Sequence, residues 1–129
     1  MRLHESLNAI LGEARGMDRS IRFIDGENDE SVLSFDELWG RAVKLLGVLQ
    51  ERGMEPGDEL VVFTRSNQTF VTAFWAALLG GIVPVPVAVG ISDEHRLKLV
   101  RILRQMQRGK LLTSADLRDR LREFAAERN

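Results

Sequence analysis

The sequence predicts an α/β fold: an N-terminal helix and β-hairpin, followed by a βαβαβα unit with a parallel sheet. Three observations lead there. Residues 60–63, Leu60-Val61-Val62-Phe63, form an uninterrupted apolar run, as expected of a strand buried on both faces. Two further short strand patterns follow, at 83–87 and 111–113, each separated by a helix-length segment. Strands alternating with helices of that length indicate crossover connections and a parallel sheet.

The elements follow in order. Residues 3–15 read as an amphipathic helix, with Leu3, Leu7, Ile10, Leu11 and Ala14 on one side. Ile21-Arg22-Phe23-Ile24 alternates like a strand, residues 25–30 carry turn chemistry, and Val32-Leu33-Ser34-Phe35 resumes as a second strand. Ser34 and Glu37 have capping-box spacing and open a helix. Its apolar side is Leu38, Ala42, Leu45, Leu46 and Leu49, and Gly53 ends it. Glu55-Pro56-Gly57-Asp58 suits a type II turn, because Pro presets the first central φ and Gly accepts the positive second one. Ser66 caps a helix over 67–79, and Gly80-Gly81 stops it, one of the two taking positive φ. Ser92 caps a helix to about Gln107, and Ser114 caps a last one carrying Leu117, Leu121 and Phe124.

Ser66 through Ser92 contains no charged residue. A bilayer span needs about 18 or more mostly apolar residues without a break. Gly80-Gly81, Pro84 and Pro86 interrupt this stretch, so a buried helix and strand explain it better and no membrane span is expected. Within it, residues 70–79 leave almost no polar face after the first turn. Such a helix must be covered on nearly all sides. The expectation is that protein outside this chain covers part of it. In isolation the chain would then form a homodimer, with Phe70, Phe74 or Trp75 at or beside the contact.

Length and composition set outer bounds. With 129 residues, 44% of them hydrophobic and 29% charged, the whole chain, 1–129, reads as one globular domain. There is no cysteine, which excludes disulfides and thiolate metal sites. The first residues carry no apolar signal core, so a cytoplasmic location is expected. The net charge of −1 hides an asymmetry: residues 1–94 hold 8 Lys/Arg and 15 Asp/Glu, residues 95–122 hold 9 and 2. A basic face can bind nucleic acid, but no aromatic residues interleave these positions for base stacking. Solvated helix faces account for them, and no nucleic acid is expected.

The chemistry of catalysis is absent. Neither G-x-G-x-x-G nor G-x-x-x-x-G-K-[ST] occurs. His4 and His95 are the only histidines. Ser92, Asp93 and Glu94 precede His95, but neighbours on one helical turn fan outward, so a surface histidine is expected rather than a triad or metal ligand. Asp116 and Asp119 sit among Arg118, Arg120 and Arg122, where solvated ion pairs are the expectation. No catalytic, cofactor-binding or metal residue is assigned.

Four segments, taken in order, resemble the beginning of the adenylate-forming ligases: acyl-CoA synthetases, fatty-acyl-AMP ligases and peptide-synthetase or polyketide adenylation domains. They are Leu33-Ser34-Phe35-Asp36-Glu37-Leu38, Arg52 to Asp58, Ser66-Asn67 with Phe70 and Ala73-Phe74, and Leu78 to Pro86. Phe35 stands where the family has Tyr, and Gly80 where it usually has Ala. The resemblance implies a scaffold fragment, roughly the first quarter, of an enzyme that joins a carboxylate to AMP using ATP and Mg²⁺. Such enzymes usually then pass the acyl group to a thiol such as CoA or a carrier protein. It further implies that the phosphate loop and the other ATP-binding groups lie downstream, in the remainder of the ligase chain. This chain alone is then inactive and holds no cofactor. The alternative is a stand-alone interaction domain derived from that scaffold.

Overall fold

A computed structural model describes residues 6–90, 92–106 and 109–127. Ten elements follow one another: α1 Leu7–Ala14, β1 Ser20–Gly26, β2 Asp29–Ser34, α2 Phe35–Glu51, β3 Glu59–Phe63, α3 Asn67–Leu79, β4 Val83–Pro86, α4 Asp93–Gln105, β5 Gly109–Thr113 and α5 Ala115–Glu127. The predicted fold class holds. β1 and β2 form an antiparallel hairpin; β4, β3 and β5 form a parallel sheet in that order, with β3 in the middle.

The hairpin strands run further into the expected turn than residues 25–30 suggested. Only Glu27 and Asn28 remain between β1 and β2, because one face of the hairpin is exposed and tolerates Asp25, Asp29 and Glu30. Phe23 and Leu33 are buried on the inner face. Phe35, expected to close the second strand, instead opens α2. The Ser34 hydroxyl accepts the Glu37 amide at 3.1 Å and donates to Oε1 of Glu37 at 3.2 Å, so the cap forms one residue earlier than the apolar run ends. Leu3 and His4 lie outside the described residues.

Around the parallel sheet the alternation of β3 divides the core. Leu60 and Val62 face α2 and α3, meeting Leu49, Ala73, Ala77 and Ile82. Val61 and Phe63 face the other way, onto Leu99 of α4 and Leu117 of α5. Every residue from Leu60 to Phe63 is therefore buried, which is why the run has no polar alternation. The Pro56-Gly57 turn forms as expected, with Gly57 at φ 89° and the Asp58 amide bonded to the Glu55 carbonyl at 3.0 Å. It is stitched to the start of β4: Gly57 N–H donates to the Gly81 carbonyl at 2.9 Å, and Val83 N–H to that of Asp58 at 2.8 Å. Gly81 takes positive φ, 68°, and Gly80 caps the helix in an ordinary conformation.

Helix α3 corrects the expectation about its cover. Ala73, Ala76 and Ala77 are fully buried. One side packs on β3 and α2, while Val71, Trp75 and Leu79 pack against Leu11 of α1 and the hairpin residues Phe23 and Leu33. The Asn8 side-chain amide also donates to the Leu78 carbonyl at 2.7 Å, tying α1 to the end of α3. This chain's own α1, α2 and hairpin thus supply part of the cover assigned to missing protein, while Phe70, Phe74, Trp75 and Leu78 stay partly exposed. Homodimerisation through Phe70, Phe74 and Trp75 is not supported: Phe70 stacks along the helix on Phe74, which meets Trp75 edge-on, and all three are partly buried. The exposed large apolar residues lie elsewhere, among them Val43 and Val48 on α2 and Val83 on β4.

Candidate functional site

In an open α/β sheet, ligands gather beyond the carboxyl ends of the strands, where the winding changes sides. Here that place is the crevice between β3 and β5. After β3 the chain turns onto the α3 face, and after β5 it turns onto the opposite one. Thr64, Arg65 and Ser66 line the first exit, Ser114 and Asp116 the second.

Local capping chemistry shapes both exits. The Ser66 hydroxyl accepts the Thr69 amide at 3.2 Å, and Thr64 Oγ1 accepts the Ser66 amide at 3.1 Å. Ser114 stands directly before α5, as expected of a cap: its carbonyl accepts the Arg118 amide, and its hydroxyl donates to the Asp116 carboxylate at 2.5 Å. Arg65 reaches across the crevice to Oδ2 of Asp116 at 3.5 Å. The Ser114 hydroxyl, with backbone amides and the Arg65 charge behind it, holds the Asp116 carboxyl below the usual aspartate range. Beside this pair, a cavity of about 10 Å³ lined by Phe63, Arg65, Val89 and Leu117 has room for about one water.

A larger cleft, of about 570 Å³, opens on the α2–α3 side, lined by Asp25, Arg41, Leu45, Gln68, Thr72 and Leu112 among others. Its volume is that of a small-molecule pocket. Its polar groups, however, are bound to one another. Arg41 donates to Gln68 Oε1 at 3.1 Å, Gln68 Nε2 to Ser31 at 2.6 Å, Asn67 to Asp25 at 3.2 Å, and Thr72 to the Gln68 carbonyl at 2.8 Å. These bonds fix the hairpin and α2 onto the first turns of α3. They hold the scaffold together and leave no nucleophile or acid–base pair aimed into the cleft.

The remaining candidates from the sequence stay apart. His95 lies exposed on the first turn of α4, its Nδ1 2.5 Å from the Ser92 hydroxyl, and Ser92 makes no side-chain bond to the helix backbone as a cap would. Asp119 pairs with Arg118 at 3.6 Å, the solvated pairing expected, whereas Asp116 takes its partner from the loop after β3. No local pattern signals that second pairing, since only the strand order brings Arg65 and Asp116 together. Among the described residues, no three His, Cys, Asp or Glu side chains converge to hold a metal. No helix among them is long and apolar enough to cross a membrane.

Comparison with known proteins supplies the class: the chain carries a portion of the adenylate-forming ligase scaffold. No family model matches it. It is 24% identical over 118 residues to the long-chain-fatty-acid–AMP ligase FadD32 of Mycobacterium marinum, a match spanning 89% of this chain and 19% of that protein. Its structure superposes on the adenylation domain of a keto acid-selecting NRPS module bound to keto acyl adenylate with a TM-score of 0.84. That pairing has 28% identity and covers 95% of this chain and 24% of the other. A shorter match, 32% identical over 71 residues, is to Disco-interacting protein 2 homolog B of Homo sapiens, covering 48% of this chain and 4% of that protein. The chain thus spans about a fifth to a quarter of the ligases it resembles.

Proposed function

We propose that this chain is the front scaffold segment of an ATP-dependent ligase that activates a carboxylate as its acyl-adenylate and passes the acyl group to a thiol. One observation carries the reading. Nearly the whole chain, 95% of it, follows an adenylation domain at a TM-score of 0.84 while covering only 24% of that domain. Nearly everything in this chain therefore has a counterpart in such an enzyme, but most of such an enzyme has none here. The ordered motifs from Leu33 to Pro86 support the same reading. The match to a long-chain-fatty-acid–AMP ligase makes fatty acids the first substrate class to test.

ATP and Mg²⁺ are what the reading implies for the complete enzyme, and the residues present do not fit them. The cleft beside α3 spends its polar side chains on bonds among Arg41, Gln68, Ser31, Asn67 and Asp25, and at the crevice Arg65 already pairs with Asp116. We therefore assign the nucleotide and the chemistry to the remainder of the ligase chain. Calorimetry with ATP–Mg²⁺ and pyrophosphate release with fatty and aryl acids are expected to give no signal from this chain. Reproducible turnover by it would overturn the proposal. A coding region that continues past Asn129 into a Ser/Thr/Gly-rich loop supports it. The Disco-interacting match favours one second reading, an interaction domain on the same scaffold without catalysis. A stop codon directly after Asn129 would favour that one.

A further inference from the structure

The two edges of the parallel sheet differ in what they offer. Along a strand, successive N–H groups point to opposite sides, so alternate residues serve each neighbour. On β4 the N–H groups of Val83 and Val87 point inward, to the carbonyls of Asp58 at 2.8 Å and Val62 at 3.1 Å. Pro84 and Pro86 therefore occupy the outward positions, and proline has no N–H to donate. The outer edge of β4 is blunted by its own sequence. β5, Gly109-Lys110-Leu111-Leu112-Thr113, contains no proline, and its outer edge pairs with no strand among the described residues.

Each face beside β5 carries a groove that is mainly apolar but includes basic side chains. On the α2 side a groove of about 300 Å³ is lined by Leu45, Val48, Leu60 and Leu112, with Arg52 and Lys110. On the α4–α5 side another, of about 430 Å³, is lined by Val100, Leu103, Leu111 and Leu121, with Arg104, Arg118 and Arg122. Thr113, at the end of β5, borders the first groove with a buried hydroxyl oxygen that finds no partner among the described residues.

The winding selects the same edge. The crossover from β3 to β4 carries α3 on one face, and the crossover from β4 to β5 runs the opposite way with α4 on the other face. Reversing both direction and face keeps the hand, as the general preference for one hand demands. α5 leaves β5 on the α4 face, so a third crossover of that hand delivers its strand beyond β5.

We propose that the outer edge of β5 is the seat of one further strand, parallel to β5 and apolar on both faces. Its position rests on the topology and the two grooves. Its source, the segment of a longer ligase chain that follows α5, rests on the ligase reading, in which about four-fifths of the protein lies outside this chain.

The chain has no cysteine, so single introduced thiols report cleanly. The probe is a synthetic octapeptide of Val, Ile and Thr flanked by lysines, carrying one cysteine at either end, tested against the Lys110→Cys and Thr113→Cys chains. A peptide thiol at the C-terminal end is expected to cross-link preferentially to Thr113→Cys, and one at the N-terminal end to Lys110→Cys. Hydrogen exchange on the unsubstituted chain should slow at β5 by about tenfold or more with this peptide. A peptide with Glu at alternate positions should give no such protection, and β4 should be unaffected. The reverse cross-linking polarity, protection at β4, or no protection of β5 would each overturn the proposal. So would a doubled mass by light scattering with β5 already protected, which would make a second copy the occupant. None of these outcomes touches the ligase reading, which stands or falls on the coding sequence and the pyrophosphate assay.

Discussion

Alanine at Gly81 and alanine at Gly80 should destabilise the chain for two separable reasons. Gly81 has φ of 68°, in the left-handed region where a Cβ crowds the following carbonyl, at a cost of about 1–2 kcal/mol. A Cβ there would also stand 3.3 Å from the Pro56 Cβ, in the turn that stitches β3 to β4. Gly80, at φ −94°, has no such backbone penalty. Its added Cβ would instead overlap the Leu46 Cδ1 methyl, the end of a side chain that can turn aside. Overpacking of that kind costs about 1–3 kcal/mol. The two mechanisms part company in a Leu46→Ala background. There the Gly80→Ala penalty should shrink, with a coupling of about 1 kcal/mol, while the Gly81→Ala penalty should not change. Gly81→Asn should cost less than Gly81→Ala, since Asn tolerates this conformation. Urea unfolding followed by the fluorescence of Trp39 and Trp75, at constant m-value, measures each difference. An unchanged midpoint for Gly81→Ala, or the same Gly80→Ala penalty in both backgrounds, would refute the reasoning.

Ser34→Ala removes the hydroxyl that accepts the Glu37 amide and should lower stability by about 1 kcal/mol, read from the same urea midpoints. Trp75→Ala should cost about 3 kcal/mol by opening the contact between α3, α1 and the hairpin, yet leave the mass by light scattering unchanged. A change in association state on that substitution would restore the dimer contact rejected above. Asp116 is held below its ordinary value in the folded chain, so the stability it contributes is present above the unfolded pKa and lost as pH falls through the folded one. Asp116→Asn should therefore flatten the acid side of the stability profile. Ser114→Ala, by removing the largest cause, should let the Asp116 carboxyl rise towards 3.8 in a side-chain NMR titration.

The fold was legible wherever its physics is local. Ser34 with Glu37, Ser66 with Thr69, and Pro56-Gly57 each form the cap or turn that their spacing announces, because each device closes within three residues. The span of α3, 67–79, follows from its cap at one end and its glycine pair at the other. The errors fall where a local pattern meets a tertiary choice. Asp25, Asp29 and Glu30 look like turn residues, but on an exposed hairpin they lie in strand, Asp29 and Glu30 paired and Asp25 at a register shift. Ser92 and Ser114 stand directly before α4 and α5, at the cap positions their spacing announces, but each hydroxyl bonds a side chain, His95 or Asp116. The Arg65–Asp116 pair across the crevice was illegible, since it depends on β3 and β5 being neighbours.

The apolar helix α3 shows most clearly what composition can and cannot say. Its residues from Phe70 onward imply that the helix is surrounded, and it is. They say nothing of what surrounds it, because periodicity describes a helix and not its neighbours. Much of the cover comes from within the chain, from α1, α2 and the hairpin, though Phe70, Phe74, Trp75 and Leu78 stay partly exposed. Further partly covered apolar surface lies at β5, whose Leu111 and Leu112 face grooves on opposite sides of the sheet. A strand that carries leucine towards both faces and has no neighbour on one edge among the described residues has the pattern of an interior strand. The case for a larger protein therefore moves from the central helix to the sheet edge, and rests there on three independent features. These are the prolines that blunt β4, the apolar grooves flanking β5, and a winding direction that would carry the next strand to that side.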